Sequence, residues 1–157
     1  MPTVKEVLND TKKRLKEQGI DTYSLDSSLL VSEVTGLTKI QLVTHDRDEV
    51  TEEQINRLEN LVKERLKNKP MQYILGHCEF MGLDFKVTEN TLIPRGDTEN
   101  IVEEVIATIE NSGYNTVLDM CTGTGAIAIS VAHYTKAKVT ASDISSKALE
   151  VARENAK

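Results

Sequence analysis

The chain has 157 residues, and 19 Lys/Arg against 25 Asp/Glu give a net charge of −6. With 39% hydrophobic and 28% charged residues it reads as a soluble globular protein. No apolar run approaches the roughly 18 residues of a membrane span, and Met1 to Lys12 lacks the apolar stretch of a signal peptide.

Two cysteines, Cys78 and Cys121, are too few for a disulfide scaffold and show no CxxC spacing. Without an export signal, both are expected to be reduced thiols in a cytoplasm. Residues 1–70 carry 12 Lys/Arg and 13 Asp/Glu, net −1, and residues 71–157 carry 7 and 12, net −5. Neither half offers a basic nucleic-acid surface, and 4% aromatics without tryptophan offer no base-stacking platform. His45, His77 and His133 are scattered without partners at ligand spacing, so no metal site is expected.

Residues 3–69 read as helices only. Thr3 with Glu6 fits a capping box, Val4, Val7, Leu8, Thr11 and Leu15 form one stripe, and Gly19 ends the helix. A second helix runs from Ser24 to Val34 with Leu25, Leu29, Leu30 and Val34 on its apolar face, closed by Gly36. Thr38 to His45 reads as a short third helix. Thr51 and Gln54 form another capping box, which opens a long helix with Leu58, Leu61, Val62 and Leu66 inward. Lys63, Arg65, Lys67 and Lys69 gather at its C-terminus as a solvated helix end, and Pro70 marks the exit.

Residues 71–95 change character. Cys78 and Phe80 alternate, Met81-Gly82 turns, and Leu83, Phe85 and Val87 alternate again, which predicts a β-hairpin between two domains. Helical periodicity resumes at Asp97 with Val102, Val105, Ile106 and Ile109, and Gly113 ends it; Asp97 and Thr98 read as N-cap residues. A strict βαβα order follows: strand Thr116 to Asp119, loop Cys121 to Gly125, helix Ala126 to Tyr134, strand Lys138 to Ser142, and a last helix from Ser145. Two parallel strands make a poor sheet by themselves. The chain is therefore expected to hold the front part of a longer, doubly wound, Rossmann-like α/β domain. The expected division is a helical domain at 1–70, a hairpin linker at 71–95, and a truncated α/β domain at 96–157.

The chemistry sits in Val117-Leu118-Asp119-Met120-Cys121-Thr122-Gly123-Thr124-Gly125-Ala126 and in Asp143. A strand feeds a glycine loop that opens a helix. Glycines admit a ligand close to the backbone, and the helix start offers free N–H groups. An acidic residue at the tip of the next strand can accept both hydroxyls of a ribose, and Asp143 lies 18 positions past Gly125. This pattern points to an adenosine-containing cofactor. Gly123 to Ala128 also satisfies G-x-G-x-x-A, so a dinucleotide stays open. Asp119 just before the loop leans the other way, because a carboxylate suits a sulfonium or an ammonium better than a pyrophosphate. Cys121 has no basic neighbour in sequence and is not expected to be a nucleophile.

Three blocks resemble one family. Gln72-Tyr73-Ile74-Leu75-Gly76 with Glu79-Phe80 and Gly82 resembles the inter-domain hairpin of the HemK/PrmC family. Leu92-Ile93-Pro94-Arg95-Gly96-Asp97-Thr98-Glu99 resembles its LIPRPDTE signature, and Leu118 to Ala128 resembles its DLGTGTGAIA loop. Members of that family are S-adenosylmethionine-dependent methyltransferases that modify a glutamine of peptide chain release factors. The resemblance implies S-adenosyl-L-methionine as cofactor and release factors as protein partners. It implies a class I methyltransferase fold and an N-terminal domain that recognises the substrate. Cys121, Thr122, Gly123, Thr124 and Gly125 would form the cofactor loop, with Asp143 on the ribose hydroxyls and Asp119 near the amino-acid end. Cys121 stands where the family usually has glycine, and Gly96 where it usually has proline. The family's substrate motif Asn-Pro-Pro-Tyr does not occur among the 157 residues, so no catalytic residue is assigned and this chain alone is expected to be inactive. The full-length protein is expected to be monomeric. Two alternatives read the same features as a fragment of an NAD-dependent oxidoreductase or as a non-enzymatic helical interaction module.

Overall fold

Thr3 accepts the Glu6 amide through its hydroxyl while Glu6 reaches back to the Thr3 amide at 2.8 Å, so helix α1 (Val4–Glu17) starts with two orphan donors satisfied. Thr51 and Gln54 repeat the arrangement at the start of α4 (Glu52–Leu66). Between them lie α2 (Tyr23–Thr35) and the single turn α3 (Gln41–Thr44), and a fifth short helix, α5, covers Met71–Leu75. The computed structural model describes all 157 residues, and the chain divides into Met1–Leu75 and Gly76–Lys157.

The first unit is held by Val4, Leu15, Ile20, Leu30, Val31, Val34, Leu42, Val50, Leu58, Val62 and Met71. Gly36 closes α2 in the left-handed region at φ 74°. The buried face of α2 differs from the stripe expected of it. Leu25 is half exposed, and Asp26 and Ser27 are inside with Leu30, Val31 and Val34. The reason lies on α4. Arg65 sends its Nε to Asp26 Oδ2 at 2.7 Å and its Nη1 to the Lys69 carbonyl at 3.2 Å, and Thr22 also donates to Asp26 at 2.8 Å. Arg65 is therefore no part of a solvated helix end. A paired, hydrogen-bonded charge can occupy a core position that a leucine would otherwise take.

In the second unit, β1 (His77–Phe80) and β2 (Leu83–Lys86) form an antiparallel hairpin with Cys78 opposite Phe85 and Phe80 opposite Leu83. Met81 and Gly82 both have positive φ, 51° and 71°, as the tight hairpin turn needs. The Met81 amide donates to Glu99 at 2.7 Å, and the Tyr134 hydroxyl donates to the Met81 carbonyl at 2.7 Å, which holds that residue in its unfavourable region. Phe80 and Phe85 meet edge to face with centroids 6.2 Å apart and pack with Val102, Ala126 and Val131. The hairpin is thus core to this unit, and Met71–Leu75, grouped with it in the sequence reading, is helical and lies in the other.

A 3₁₀ turn at Gly96–Thr98 leads into α6 (Glu99–Ser112), which Gly113 ends at φ 71°. Neither Asp97 nor Thr98 caps α6 through its side chain. Strand β3 (Thr116–Met120), helix α7 (Ala126–Tyr134), strand β4 (Lys138–Ser142) and helix α8 (Ser146–Asn155) complete the βαβα order. The two strands are parallel, with Asp119 opposite Ala141 and Met120 opposite Ser142. On one face of β3, Val117 packs into the core and Asp119 is buried; on the other, Leu118 and Met120 are open. This is the Rossmann-like start expected of residues 96–157. No helix is long and apolar enough to cross a membrane.

Candidate functional site

The site is built at the carboxyl end of β3. The Thr122 amide, two residues past the end of β3, donates at 2.9 Å to the carbonyl of Ser142, the last paired residue of β4. The chain then tightens. The Gly125 amide returns to the Thr122 carbonyl at 2.9 Å, and Cys121, Gly123 and Gly125 take φ of 63°, 57° and 83°. Glycine enters that region freely, whereas cysteine pays a steric cost there.

Each glycine has a separate reason. A Cβ on Gly125 would stand 2.9 Å from Ile129 Cδ1 and 3.3 Å from Ala152 Cβ, so the bare backbone lets α7 approach α8. A Cβ on Gly123 would meet nothing within 4 Å. The space beside Gly123 is open, which is where a ligand can come close to the main chain.

Four of the seven sequence-predicted site residues line one cavity. Cys121, Thr122, Gly123 and Thr124 share it with Phe80, Ala126, Ile127, Leu92, Ile93, Pro94, Arg95 and Thr98, around about 200 Å³. The glycine loop and the Leu92–Thr98 segment, 20-odd residues apart in sequence, therefore face one space. The other three predicted residues do not line the cavity. Asp119 is buried and accepts the Thr122 hydroxyl at 2.6 Å. Gly125 is used in packing. Asp143 accepts the Gly123 amide on Oδ2 at 2.9 Å and the Ser145 amide on Oδ1 at 2.8 Å.

Those two backbone donors, Ser145 first and Gly123 second, hold the Asp143 carboxyl below the usual aspartate range. A carboxylate has about four acceptor positions, so Asp143 retains capacity for further donors. Its geometry also explains why the residue sits at the tip of β4: it ties the start of α8 to the middle of the loop.

One residue of the site has no sequence signal. Asn155, the last residue of α8, donates through Nδ2 to the Thr124 carbonyl at 2.9 Å and to the Lys86 carbonyl at 3.0 Å, and accepts the Lys86 amide on Oδ1 at 2.8 Å. It fastens the glycine loop to the free edge of the hairpin. An asparagine near a helix end reads as an ordinary cap, and only the tertiary structure shows that its partners are Lys86 and Thr124. Lys86 and Glu154 form an ion pair beside it.

The remaining candidates disperse. His77 pairs with Asp84 at 2.8 Å on the hairpin, and His133 stacks edge-on with Tyr134. No group of three or more His, Cys, Asp or Glu is placed to hold a metal ion. Cys78 is partly buried, and burial followed by the nearby carboxylates of Asp84, Glu79 and Glu99 pushes its thiol pKa up, which suits packing and not nucleophilic attack.

Comparison with known proteins extends this picture. Residues 6–76 match the PrmC N-terminal domain, and residues 117–157 match a methyltransferase domain. The chain is 40% identical over 156 residues to the release factor glutamine methyltransferase of Moorella thermoacetica, covering 99% of this chain and 55% of that protein. It is 41% identical over 153 residues to the protein of the same name from Clostridium acetobutylicum (97% and 54%). To that from Fusobacterium nucleatum it is 40% identical over 152 residues (96% and 43%). The chain thus spans about half the length of the curated relatives it matches. A match to the PrmC N-terminal domain is thus followed in order by a match to a methyltransferase domain, with similarity to the named relatives unbroken between them.

Proposed function

We propose that the cavity at Cys121–Thr124 binds the adenosyl part of S-adenosyl-L-methionine, and that the protein carrying this chain methylates the side-chain nitrogen of a glutamine in peptide chain release factors. The observation that carries the reading is the meeting of the two sequence blocks most specific to the family, Leu92–Glu99 and Leu118–Ala128, around one cavity beside an unobstructed glycine. The methyltransferase match and the names of the relatives support the reaction class.

The residues fit such a ligand. Gly123 leaves room for close approach, Ile93, Pro94, Ile127 and Phe80 supply apolar walls for a nucleoside, and Asp143, outside the lining but bound to the amide of Gly123, keeps acceptor capacity for ribose hydroxyls. When bound, the cofactor supplies an electrophilic methyl on a sulfonium. The chain's own task is to hold that methyl in place and keep water away, because an amide nitrogen is a weak nucleophile and gains most from positioning. Asp119, buried against Thr122, acts through the loop in this scheme.

The first unit, Met1–Leu75, is proposed to recognise the release factor. Residues 1–157 hold no Asn-Pro-Pro-Tyr segment for the glutamine amide, so by themselves they are proposed to bind cofactor weakly and transfer no methyl group. Calorimetric titration with S-adenosylhomocysteine and with NAD tests the cofactor reading. Binding of the first and not the second supports it, and preference for NAD overturns it. Incubation with labelled S-adenosylmethionine and a release factor tests the rest, and methyl transfer by the 157-residue chain would refute the proposed inactivity.

A further inference from the structure

Among the twelve residues that line the cavity, Arg95 is the one charged side chain. It enters no ion pair or side-chain hydrogen bond, whereas Lys86 of the same unit is paired with Glu154. Its acidic neighbours in sequence do not neutralise it. The Glu99 carboxylate accepts the Met81 amide, and neither Asp97 nor Glu99 forms an ion pair with Arg95.

The root of this arginine is fixed while its head is free. Pro94 precedes it, its own backbone is extended at φ −104° and ψ 137°, and its carbonyl accepts the Thr98 amide at 2.9 Å to close the 3₁₀ turn. The other lining groups are neutral: an apolar wall at Phe80, Leu92, Ile93 and Pro94, and a loop wall at Cys121–Thr124. A guanidinium anchored at the rim of a neutral cavity, in a half of the chain whose net charge is −5, selects for one anionic group on the ligand.

We infer that Arg95 binds the α-carboxylate at the amino-acid end of the adenosyl ligand and so sets which end of the cavity the methionine part occupies. This rests on the cofactor reading above and adds a residue to it. A carboxylate fits better than a pyrophosphate because a single cation lines the cavity. In addition, the Ala126 amide at the start of α7 is already turned to the Thr124 hydroxyl at 3.3 Å and is not left for a phosphate.

The test compares two adenosyl thioethers by calorimetry on the whole chain. S-adenosylhomocysteine carries the amino-acid end; 5′-methylthioadenosine lacks it. Arg95→Met is expected to weaken S-adenosylhomocysteine by about 10- to 100-fold, the worth of one charge-assisted contact. It should leave 5′-methylthioadenosine unchanged, and Arg95→Lys should restore part of the loss. Unchanged S-adenosylhomocysteine binding by Arg95→Met overturns the inference, as does equal weakening of both ligands, which would mark a structural role. Equal affinity of the unsubstituted chain for the two thioethers also overturns it. If the unsubstituted chain binds NAD and neither thioether, the cofactor reading itself fails, and that outcome is distinct from a failure of Arg95 alone.

Discussion

The two units hold their shapes by different means. In Met1–Leu75 the elements are set by side-chain burial, with eleven apolar residues in one core and capping boxes at two of the three long helices. In Gly76–Lys157 the apolar core is smaller, and the cavity depends on backbone geometry: three residues with positive φ in five positions, and main-chain groups of the loop held by Asp143 and Asn155. Substitutions in the first unit should therefore change stability in proportion to what they leave buried. Substitutions in the loop of the second should change backbone strain and ligand access, even where little is buried.

The largest expected effect lies in the first unit. Arg65→Ala leaves Asp26 buried without its cation, and such a loss costs about 3–5 kcal/mol; urea unfolding followed by circular dichroism should show it. A loss under 1 kcal/mol would mean that water reaches Asp26 and that the pair is not part of the core. In the second unit, Gly125→Ala combines a left-handed alanine with crowding against Ile129 and Ala152, for about 2–4 kcal/mol. Gly123→Ala carries the strain alone, about 1–2 kcal/mol, since its Cβ meets open space. The difference between the two substitutions, read in one denaturation series, separates packing from conformation.

Cys121→Gly tests the same contrast in the stabilising direction. The side chain is exposed and its φ is 63°. Relief of the left-handed strain, less the added freedom of the unfolded chain, should stabilise by up to about 1 kcal/mol. Tighter S-adenosylhomocysteine binding should accompany it. The smallest effect is that of acid. Because the Asp143 carboxyl titrates below its ordinary range, its contribution is fully present above about pH 4 and is lost as pH falls through the lowered value. Protection of the Gly123 and Ser145 amides, measured against the free-peptide exchange rate at each pH, should fall below that point, and Asp143→Asn should remove that fall.

Much of the architecture was legible because its signals are local. Thr3/Glu6 and Thr51/Gln54 mark helix starts, Gly36 and Gly113 mark ends, and alternation through Phe80 and Phe85 marks the hairpin. The buried face of α2 was misread at Leu25 because a partner 39 residues away, Arg65, makes Asp26 an acceptable core residue. Helix α5 has five residues, too few for periodicity to declare itself. In the site, the loop from Cys121 to Gly125 was visible as a motif. Sequence distance hid that Asp143 already holds the Gly123 amide and that Asn155 ties the loop to Lys86. Those are tertiary hydrogen bonds, and no spacing rule encodes them.

The cavity between Ile93–Arg95 and Cys121–Thr124 is proposed to take an adenosyl ligand. Nuclear magnetic resonance titration of the isotope-labelled chain with S-adenosylhomocysteine tests it most directly. Saturable shifts are expected at the amides of Cys121, Thr122, Gly123, Thr124 and Arg95. Shifts confined to other residues, or none at millimolar ligand while NAD perturbs the loop, would contradict it.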